Sequence, residues 1–270
     1  MIQITILGSG TCVPTKRRGT PGIAIRSKNS WILVDGGSGS LSRMASAGID
    51  YTDVDYVLYT HIHPDHTLDI VSLLFAINYT PGYKRERPLD IIGPKGFKQF
   101  FEDLSRPYPW IRPKDFPMDV MEVTDEYFSV GYLGVQASEV NHGTLPSVAY
   151  RFTNDAETMV ISGDTAFCDE IVDLSRKTDL LLCEASFPTD EFDLEMHLSA
   201  SLAGKVASLA QVKNLALYHF YPVCDEYDMK TLCAKEYDGR IIITEDLMKL
   251  EISQETLRVI NDRTPENQQT

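Results

Sequence analysis

The chain has 270 residues and a formal net charge of −14, with 43% hydrophobic and 24% charged residues. This composition is ordinary for a soluble globular protein, and no stretch approaches the ~18 apolar residues that would span a bilayer. A surface with this much negative charge repels phosphate backbones unless a local basic patch overrides it, which argues against a protein that binds nucleic acids through charge alone.

The first half of the chain shows short apolar runs that end at turn residues, a pattern typical of β-strands. We predict strands at residues 3–7, 22–26, 31–35 and 54–59. A helix is predicted over residues 67–79, with a buried face formed by Leu68, Val71, Leu74 and Phe75. A second helix is predicted to start at Pro94, with a buried face formed by Phe97, Phe100, Phe101 and Leu104.

The second half of the chain repeats this mixture. Strands are predicted near residues 118–123, 128–140, 147–152, 158–162, 179–183, 215–218 and 240–244, and helices near 169–176 and 199–209. Ser199 is expected to cap the last helix, which would bury Leu202, Val206 and Leu209. Helices set between neighbouring strands favour two sheets faced by helices over one doubly wound parallel sheet.

Domain organisation and compartment are also predicted from composition. No internal repeat stands out, so we predict one domain over residues 1–261 and a polar, flexible tail over residues 262–270. The N-terminus lacks the basic lead and long apolar core of a signal peptide, which predicts a cytoplasmic protein. The five cysteines are widely spaced without a CxxC pair, which indicates reduced thiols and no cysteine-rich zinc site.

Three of the six histidines lie within the segment HIHPDH. Residues two apart in an extended segment point the same way, so His61 and His63 can converge on one ion. Asp65 and His66 can then turn toward a neighbouring ion. Packing gives no reason to place three imidazoles and a carboxylate at this spacing, so the segment predicts a metal site. Imidazole and carboxylate ligands without thiolate suit Zn²⁺, Mn²⁺ or Fe²⁺.

Two further carboxylates are candidates for this site. Asp164 follows a predicted strand at the glycine turn of ISGDT, where it could bridge two ions. Asp35 ends the apolar run WILVD. It either accepts a hydrogen bond from a ligand imidazole and fixes the tautomer of that ring, or it is a simple turn carboxylate.

Six segments, in chain order, resemble the successive motifs of the metallo-β-lactamase superfamily, in particular its ribonuclease Z-like branch: HIHPDH, NHGTLPSVAYRF, ISGDT, CEASF, HLSA and LYHFYP. The resemblance implies an αββα sandwich, that is, two mixed β-sheets flanked by helices. It also implies two divalent metal ions, most simply Zn²⁺, bridged by Asp164 and held by two ligand sets: His61, His63 and His142 for one ion, and Asp65, His66 and His219 for the other.

The same resemblance implies catalytic roles. Asp65 would orient a metal-activated water and take up its proton, and His197 would stabilise or protonate the leaving oxygen. Glu184 would hydrogen-bond His197, unless it is an ordinary surface carboxylate. We expect a phosphodiesterase that acts on a nucleotide, a short RNA or another small phosphodiester. The alternatives are a sister hydrolase that cleaves a sulfate ester, a lactone or another ester, and a non-catalytic metal-binding regulatory protein.

The chain departs from ribonuclease Z at one point. Enzymes of that branch that trim precursor tRNA carry a long arm between the segments that match His142 and Asp164, but only 22 positions separate these residues here. Precursor tRNA is therefore a less favoured substrate. Residues 78–115 could form a lid over the site, although Trp110 and Phe116 could equally be ordinary packing. No membrane partner is expected, and the branch resemblance favours a homodimer.

Overall fold

The computed structural model describes residues 1–28, 30–192, 195–253 and 256–260, so the predicted tail at 262–270 lies outside the described residues. Its strands are β1 Ile2–Gly8, β2 Gly22–Ser27, β3 Ser30–Val34, β4 Val54–Leu58, β5 Leu89–Pro94, β6 Met118–Val123, β7 Tyr127–Val130, β8 Leu133–Glu139, β9 Val148–Thr153, β10 Thr158–Ile161, β11 Leu180–Glu184, β12 Asn214–Tyr218, β13 Arg240–Ile243, β14 Lys249–Ser253 and β15 Thr256–Ile260.

Its α-helices are α1 Ser40–Ser46, α2 Pro64–Thr67, α3 Asp69–Tyr79, α4 Phe97–Ser105, α5 Asp169–Leu174, α6 Ala200–Ala210 and α7 Met229–Cys233. Short 3₁₀ turns occupy Tyr51–Asp53, Pro109–Ile111 and Pro222–Glu226. Within the described ranges, no helix combines the length and the apolar character that a membrane crossing requires.

The strands form two mixed sheets. One has the order β15-β14-β1-β2-β3-β4-β5-β6, and the other has the order β13-β12-β11-β10-β9-β8-β7. In the first sheet the pairs from β3 to β6 are parallel, and in the second the pairs from β10 to β13 are parallel. The remaining pairs are antiparallel. Each sheet therefore has one set of parallel strands whose carboxyl ends lie along a common edge.

Three apolar clusters show how the layers pack. The inner cluster combines buried residues of both sheets, such as Ile4 and Leu58 from one and Phe152 and Leu182 from the other. One outer cluster joins the first sheet to α1, α3 and α4, and the other joins the second sheet to α5, α6 and α7. Two sheets thus face each other with helices on both outer sides, which confirms the predicted αββα sandwich.

The predicted buried face of α3 is wrong in part: Leu74 is buried and Val71 is half-buried against the outer cluster, as expected, but the other two residues are not. The helix buries Ile70, Leu73, Leu74 and Ile77, whereas Leu68 and Phe75 are 48% and 47% exposed. Both faces of this helix carry apolar residues at helical spacing, so periodicity alone did not identify the face that meets the sheet.

The predicted buried face of α6 is also wrong in part, because Leu209 is exposed. The helix buries mostly small residues, namely Ala200, Ala203, Gly204, Val206, Ala207 and Ala210. A side chain at Gly204 would clash, since its Cβ would lie 2.5 Å from the carbonyl oxygen of Cys233. Close packing against α7 therefore selects the face with the small residues.

Several predicted boundaries also differ from the structure. Pro94 ends β5 and does not start a helix; α4 begins at Phe97. The single strand predicted over 128–140 is a hairpin of β7 and β8, which turns at Gly131 with φ of 58°. The elements α1, α2, α7, β5, β14 and β15 were not predicted. Residues 78–115 contain β5 and α4, which belong to the sandwich, so the lid hypothesis is wrong for these two elements.

Candidate metal centre

All six histidines lie at one end of the sandwich, mostly on loops that leave the parallel strands. His61 to His66 follow β4, Asp164 follows β10 and His219 follows β12. His219 has φ of 62°, which turns the chain sharply as it leaves its strand. Because the carboxyl ends of parallel strands meet at the same edge, these loops converge although they are far apart in sequence.

The structure brings together the residues that the sequence singles out. One group consists of His61, His63, His142 and Asp164, a second of Asp65, His66 and His219, and a third of Asp164, His197 and His219. Within each group the potential ligand atoms lie within 4.8 Å of one another. The third group raises the question whether His197 is a ligand or a neighbour of the ligands.

The imidazole rings approach each other through nitrogens. Nε2 of His61 lies 3.0 Å from Nδ1 of His63, which in turn lies 3.3 Å from Nε2 of His142. On the other side of Asp164, the Nε2 atoms of His66 and His219 are 3.3 Å apart. Nitrogens at these distances must either share protons or share a cation.

Asp35 and its neighbours decide the tautomers of two of these rings. Asp35 is buried and its Oδ2 accepts a hydrogen bond from Nδ1 of His66 at 2.8 Å, so it is not a simple turn carboxylate. The hydroxyl of Thr60 donates its proton to the same carboxylate at 2.9 Å. The Thr60 hydroxyl oxygen can then accept a hydrogen bond from Nδ1 of His61 at 3.0 Å. Both rings therefore carry their proton on Nδ1, and the Nε2 lone pairs face the site.

Two more rings are fixed in the same way. Nδ1 of His142 donates to the carbonyl oxygen of Met196 at 2.8 Å, and Nδ1 of His219 lies 2.9 Å from the hydroxyl of Ser186. The Nε2 lone pairs of these rings also face inward. His63 differs, because it presents Nδ1 to its neighbours. Protons are thus directed away from the centre, and the nitrogens inside it are free to bind a cation.

Asp164 provides an independent sign that a cation fits here. Its carboxylate is buried at 3.4 Å from Nε2 of His66 and 3.3 Å from Nε2 of His219. Its Oδ1 atom has no hydrogen-bond partner among the described residues, an arrangement that is costly unless a cation compensates it. Burial raises the pKa of Asp164, but the charges of the surrounding imidazoles outweigh burial and hold it well below its usual value.

The protonation of two other side chains agrees with ligand chemistry. Burial, followed by the neighbouring imidazole of His66, lowers the pKa of His61 well below its usual value, which favours the neutral ring that metals bind. Burial raises the pKa of Asp65, but the nearby imidazoles of His219 and His66 outweigh burial and lower it. His66 differs: burial lowers its pKa, but the charges and hydrogen bonds of Asp164 and Asp35 outweigh burial and raise the pKa well above its usual value, so a cation that binds here displaces the proton on Nε2. Imidazole and carboxylate ligands without thiolate suit divalent metal ions.

His197 and Glu184 form a pair beside this cluster. Nδ1 of His197 donates to Oε1 of Glu184 at 3.0 Å. Glu184 is fully buried and also accepts from the backbone N–H groups of Thr165 and Leu198, so it is not a surface carboxylate. Burial lowers the pKa of His197, but the charge and hydrogen bond of Glu184 outweigh burial and raise it to about 9. The ring is therefore protonated on both nitrogens at neutral pH. Its Nδ1–H bonds to Glu184, and its Nε2–H is left for other partners.

Sequence reasoning missed three groups that hold the rings: Thr60, Ser186 and the Met196 carbonyl. Thr60 immediately precedes the histidine cluster, and Ser186 lies two residues after Glu184, so a hydroxyl beside a motif residue was the available signal. The Met196 contact is made by the backbone and leaves no trace in the choice of side chain.

Comparisons with known proteins agree with this fold. The model of the beta-lactamase superfamily domain matches residues 30–220. A ribonuclease Z from Mycolicibacterium gilvum is 28% identical over 279 residues, which cover 93% of this chain and 96% of that protein.

Two solved structures share the fold. The metallo-beta-lactamase fold protein YhfI from Bacillus subtilis has 24% identity and a TM-score of 0.80, and the match covers 92% of this chain and 98% of that one. The short form of human tRNase Z has 22% identity and a TM-score of 0.75, over 93% and 99% of the two chains. The predicted resemblance is thereby confirmed. Because the family model matches well over half of its residues, the chain belongs to the beta-lactamase superfamily domain family.

Proposed function

We propose that this protein is a metal-dependent phosphodiesterase. The observation that carries the proposal is the buried cluster of inward-facing ring nitrogens around the unpartnered oxygen of Asp164, with a protonated histidine beside it. The ligands in this proposal are those expected from the sequence, in two sets that share Asp164: His61, His63 and His142, and Asp65, His66 and His219. Two divalent ions, most simply Zn²⁺, fit these sets, and Mn²⁺ and Fe²⁺ suit the same ligands.

The chain's own residues divide the work around such a centre. Divalent ions held here would supply Lewis-acid activation of water and of the phosphate ester. Asp65 is only partly buried, with 12% of its side chain exposed, so it can reach a water at the mouth of the site, orient it and take up its proton. His197, with Nδ1 held by Glu184, would donate its Nε2 proton to the leaving oxygen.

The short connection between β9 and β10 gives information about the class of substrate. β9 ends at Thr153 and β10 begins at Thr158, so four residues make the connection and the structure has no long arm at this point. Together with the charge of −14, this favours a nucleotide, a short RNA or another small phosphodiester over precursor tRNA. The similarity to ribonuclease Z favours a phosphodiester over the sulfate ester or lactone of a sister hydrolase.

A non-catalytic metal-binding regulator is the alternative from another class. Such a protein would need the ligands, but it has no chemical need for a buried glutamate that keeps a neighbouring histidine protonated. The contact between His197 and Glu184 therefore favours an enzyme.

Metal analysis combined with an activity screen tests the proposal. We expect about two transition-metal ions per chain, and we expect chelation to remove activity and lower the melting temperature, since ions bind the folded state preferentially. The screen compares bis-p-nitrophenyl phosphate, an aryl sulfate, a lactone, a dinucleotide and precursor tRNA. Full activity in metal-free protein would refute the proposal, and preferential cleavage of the sulfate or lactone would assign the protein to the sister hydrolases.

An exposed apolar stripe on α3 supports the proposed homodimer. Leu68, the N-cap residue of α3, and Phe75 and Tyr79 within the helix are 48%, 47% and 39% exposed, and their spacing places them on one side. The rings of Phe75 and Tyr79 stack at 4.6 Å between centroids. A two-fold axis can pair such a stripe with itself. We expect Phe75→Glu to convert a dimer to a monomer in sedimentation, whereas Tyr127→Glu on β7 should not. A wild-type monomer would rule out this interface.

A further inference from the structure

The hydroxyl of Ser186 lies between three functional groups. It is 2.6 Å from Oε2 of Glu184, 2.9 Å from Nδ1 of His219 and 3.3 Å from Nδ1 of His197. Ser186 is fully buried, so water does not compete for these contacts. The hydroxyl therefore stands between the second set of proposed metal ligands and the proposed proton donor.

The direction of each hydrogen bond follows from the number of protons. An ionised carboxylate can only accept, so the single hydroxyl proton of Ser186 is donated to Glu184. The serine oxygen then accepts from Nδ1–H of His219. This fixes the His219 tautomer, with the Nε2 lone pair directed at Asp164, whose Oδ1 is 3.3 Å away.

Strand register explains why Ser186 reaches His219. β11 and β12 are parallel neighbours, and Glu184 pairs with Tyr218 in their ladder. The residues that follow these two positions leave the sheet side by side, and the N–H of Ala185 still bonds to the Tyr218 carbonyl. Ser186 and His219 are thus brought together by the same parallel edge that forms the site.

The first sheet contains an equivalent hydrogen-bond arrangement, in which a carboxylate contacts one ring directly and a second ring through a hydroxyl. Asp35 follows β3, accepts directly from His66, and reaches His61 through the hydroxyl of Thr60. Glu184 is the last residue of β11, accepts directly from His197, and reaches His219 through Ser186. The two carboxylates differ in one respect: Asp35 holds two proposed ligands, whereas Glu184 holds one ligand and the proton donor.

We propose that Ser186 is a positioning residue that connects Glu184 to His219, so that one buried carboxylate orients both a metal ligand and the proton donor. This inference rests on the proposed function for its metal ligands. Removing the hydroxyl frees the His219 ring to rotate or to adopt the other tautomer, and it leaves Glu184 without its closest donor.

Zinc affinity measured by competition with a chromophoric chelator tests this role without any substrate. We expect Ser186→Ala to raise one of the two zinc dissociation constants by about 10–100-fold and to leave the other unchanged, as for loss of a group that orients a ligand. Ser162→Ala is the matched control, since this serine is equally buried and contacts the backbone N–H of Glu184 but no imidazole. It should change neither constant. Equal constants in wild type and Ser186→Ala would overturn the proposal.

A measurement on the unmodified protein keeps the test independent of variant folding. Long-range ¹H–¹⁵N correlation spectra of the zinc-loaded enzyme report which ring nitrogen of each histidine carries the proton. We expect His219 to be protonated on Nδ1 in wild type and to lose this fixed pattern in Ser186→Ala. A His219 protonated on Nε2 in wild type would also overturn the proposal. Failure of wild type to bind zinc at all would instead refute the proposed function.

Discussion

Asp164→Asn is expected to abolish most of the turnover and to reduce the metal content from about two ions per chain. The carboxylate faces Nε2 of both His66 and His219, and its Oδ1 atom is buried without a hydrogen-bond partner among the described residues. An amide removes the negative charge that both ions would share. Because metal ions contribute several kcal/mol to transition-state stabilisation, we expect kcat/KM to fall by about 10³-fold or more.

Asp179→Asn is the matched control for this variant. Asp179 is also a buried aspartate of the second sheet, but it precedes β11 and accepts hydrogen bonds from Thr158 at the opposite end of the strands. Its replacement should lower stability while leaving metal content at the wild-type value. Elemental analysis of both variants after identical purification gives the comparison. An Asp164→Asn protein with full metal content and near-normal kcat/KM would show that Asp164 does not bridge.

The candidate ligands could be singled out from the sequence because they lie in compact motifs. Three histidines and one aspartate within six residues leave few structural explanations, and His142, Asp164 and His219 each lie in a segment that resembles a family motif. The strands were also visible, since most are short apolar runs with turn residues at both ends. Local patterns and the family motifs were therefore sufficient for most strands and for the candidate site, whereas β5, β14 and β15 were missed.

The remaining features depend on contacts between distant segments. Asp35 reaches Thr60 because β3 and β4 pair in parallel with Val34 beside Leu58, and Ser186 reaches His219 through the register of β11 and β12. Neither register can be read from one strand alone. The buried face of α3 depends in the same way on the sheet it covers, because the helix has apolar residues on both sides.

Loss of the proposed proton donor should have a different signature from loss of a proposed ligand. We expect His197→Ala to retain the wild-type metal content and to lower kcat by ~10²-fold or more, because general acid catalysis contributes at least this much. Its Nδ1 is occupied by Glu184 at 3.0 Å, and this nitrogen is also the one near Asp164, at 4.0 Å. The ring is therefore held as a donor. Loss of metal from His197→Ala would instead make it a ligand.

Two substrates with different leaving groups distinguish a role of His197 as general acid from a purely structural role. A p-nitrophenolate leaves without protonation, whereas a nucleoside alkoxide needs a proton. His197→Ala should therefore reduce cleavage of a dinucleotide far more than cleavage of bis-p-nitrophenyl phosphate. Equal losses on both substrates would indicate that His197 only supports the geometry of the site.

The pH dependence gives a third, independent criterion. His197 must be protonated to donate, so kcat/KM for a dinucleotide should fall as the pH rises through its pKa, which Glu184 raises to about 9 against the effect of burial. Glu184→Gln keeps the side-chain shape but removes the negative charge, so the pKa of His197 falls and the alkaline limb should move to lower pH. A p-nitrophenolate leaves without protonation, so protonation of His197 does not affect its rate of cleavage. The alkaline limb should therefore be absent from the pH dependence measured with bis-p-nitrophenyl phosphate. An unchanged limb in Glu184→Gln would assign it to another group and remove His197 from the acid role.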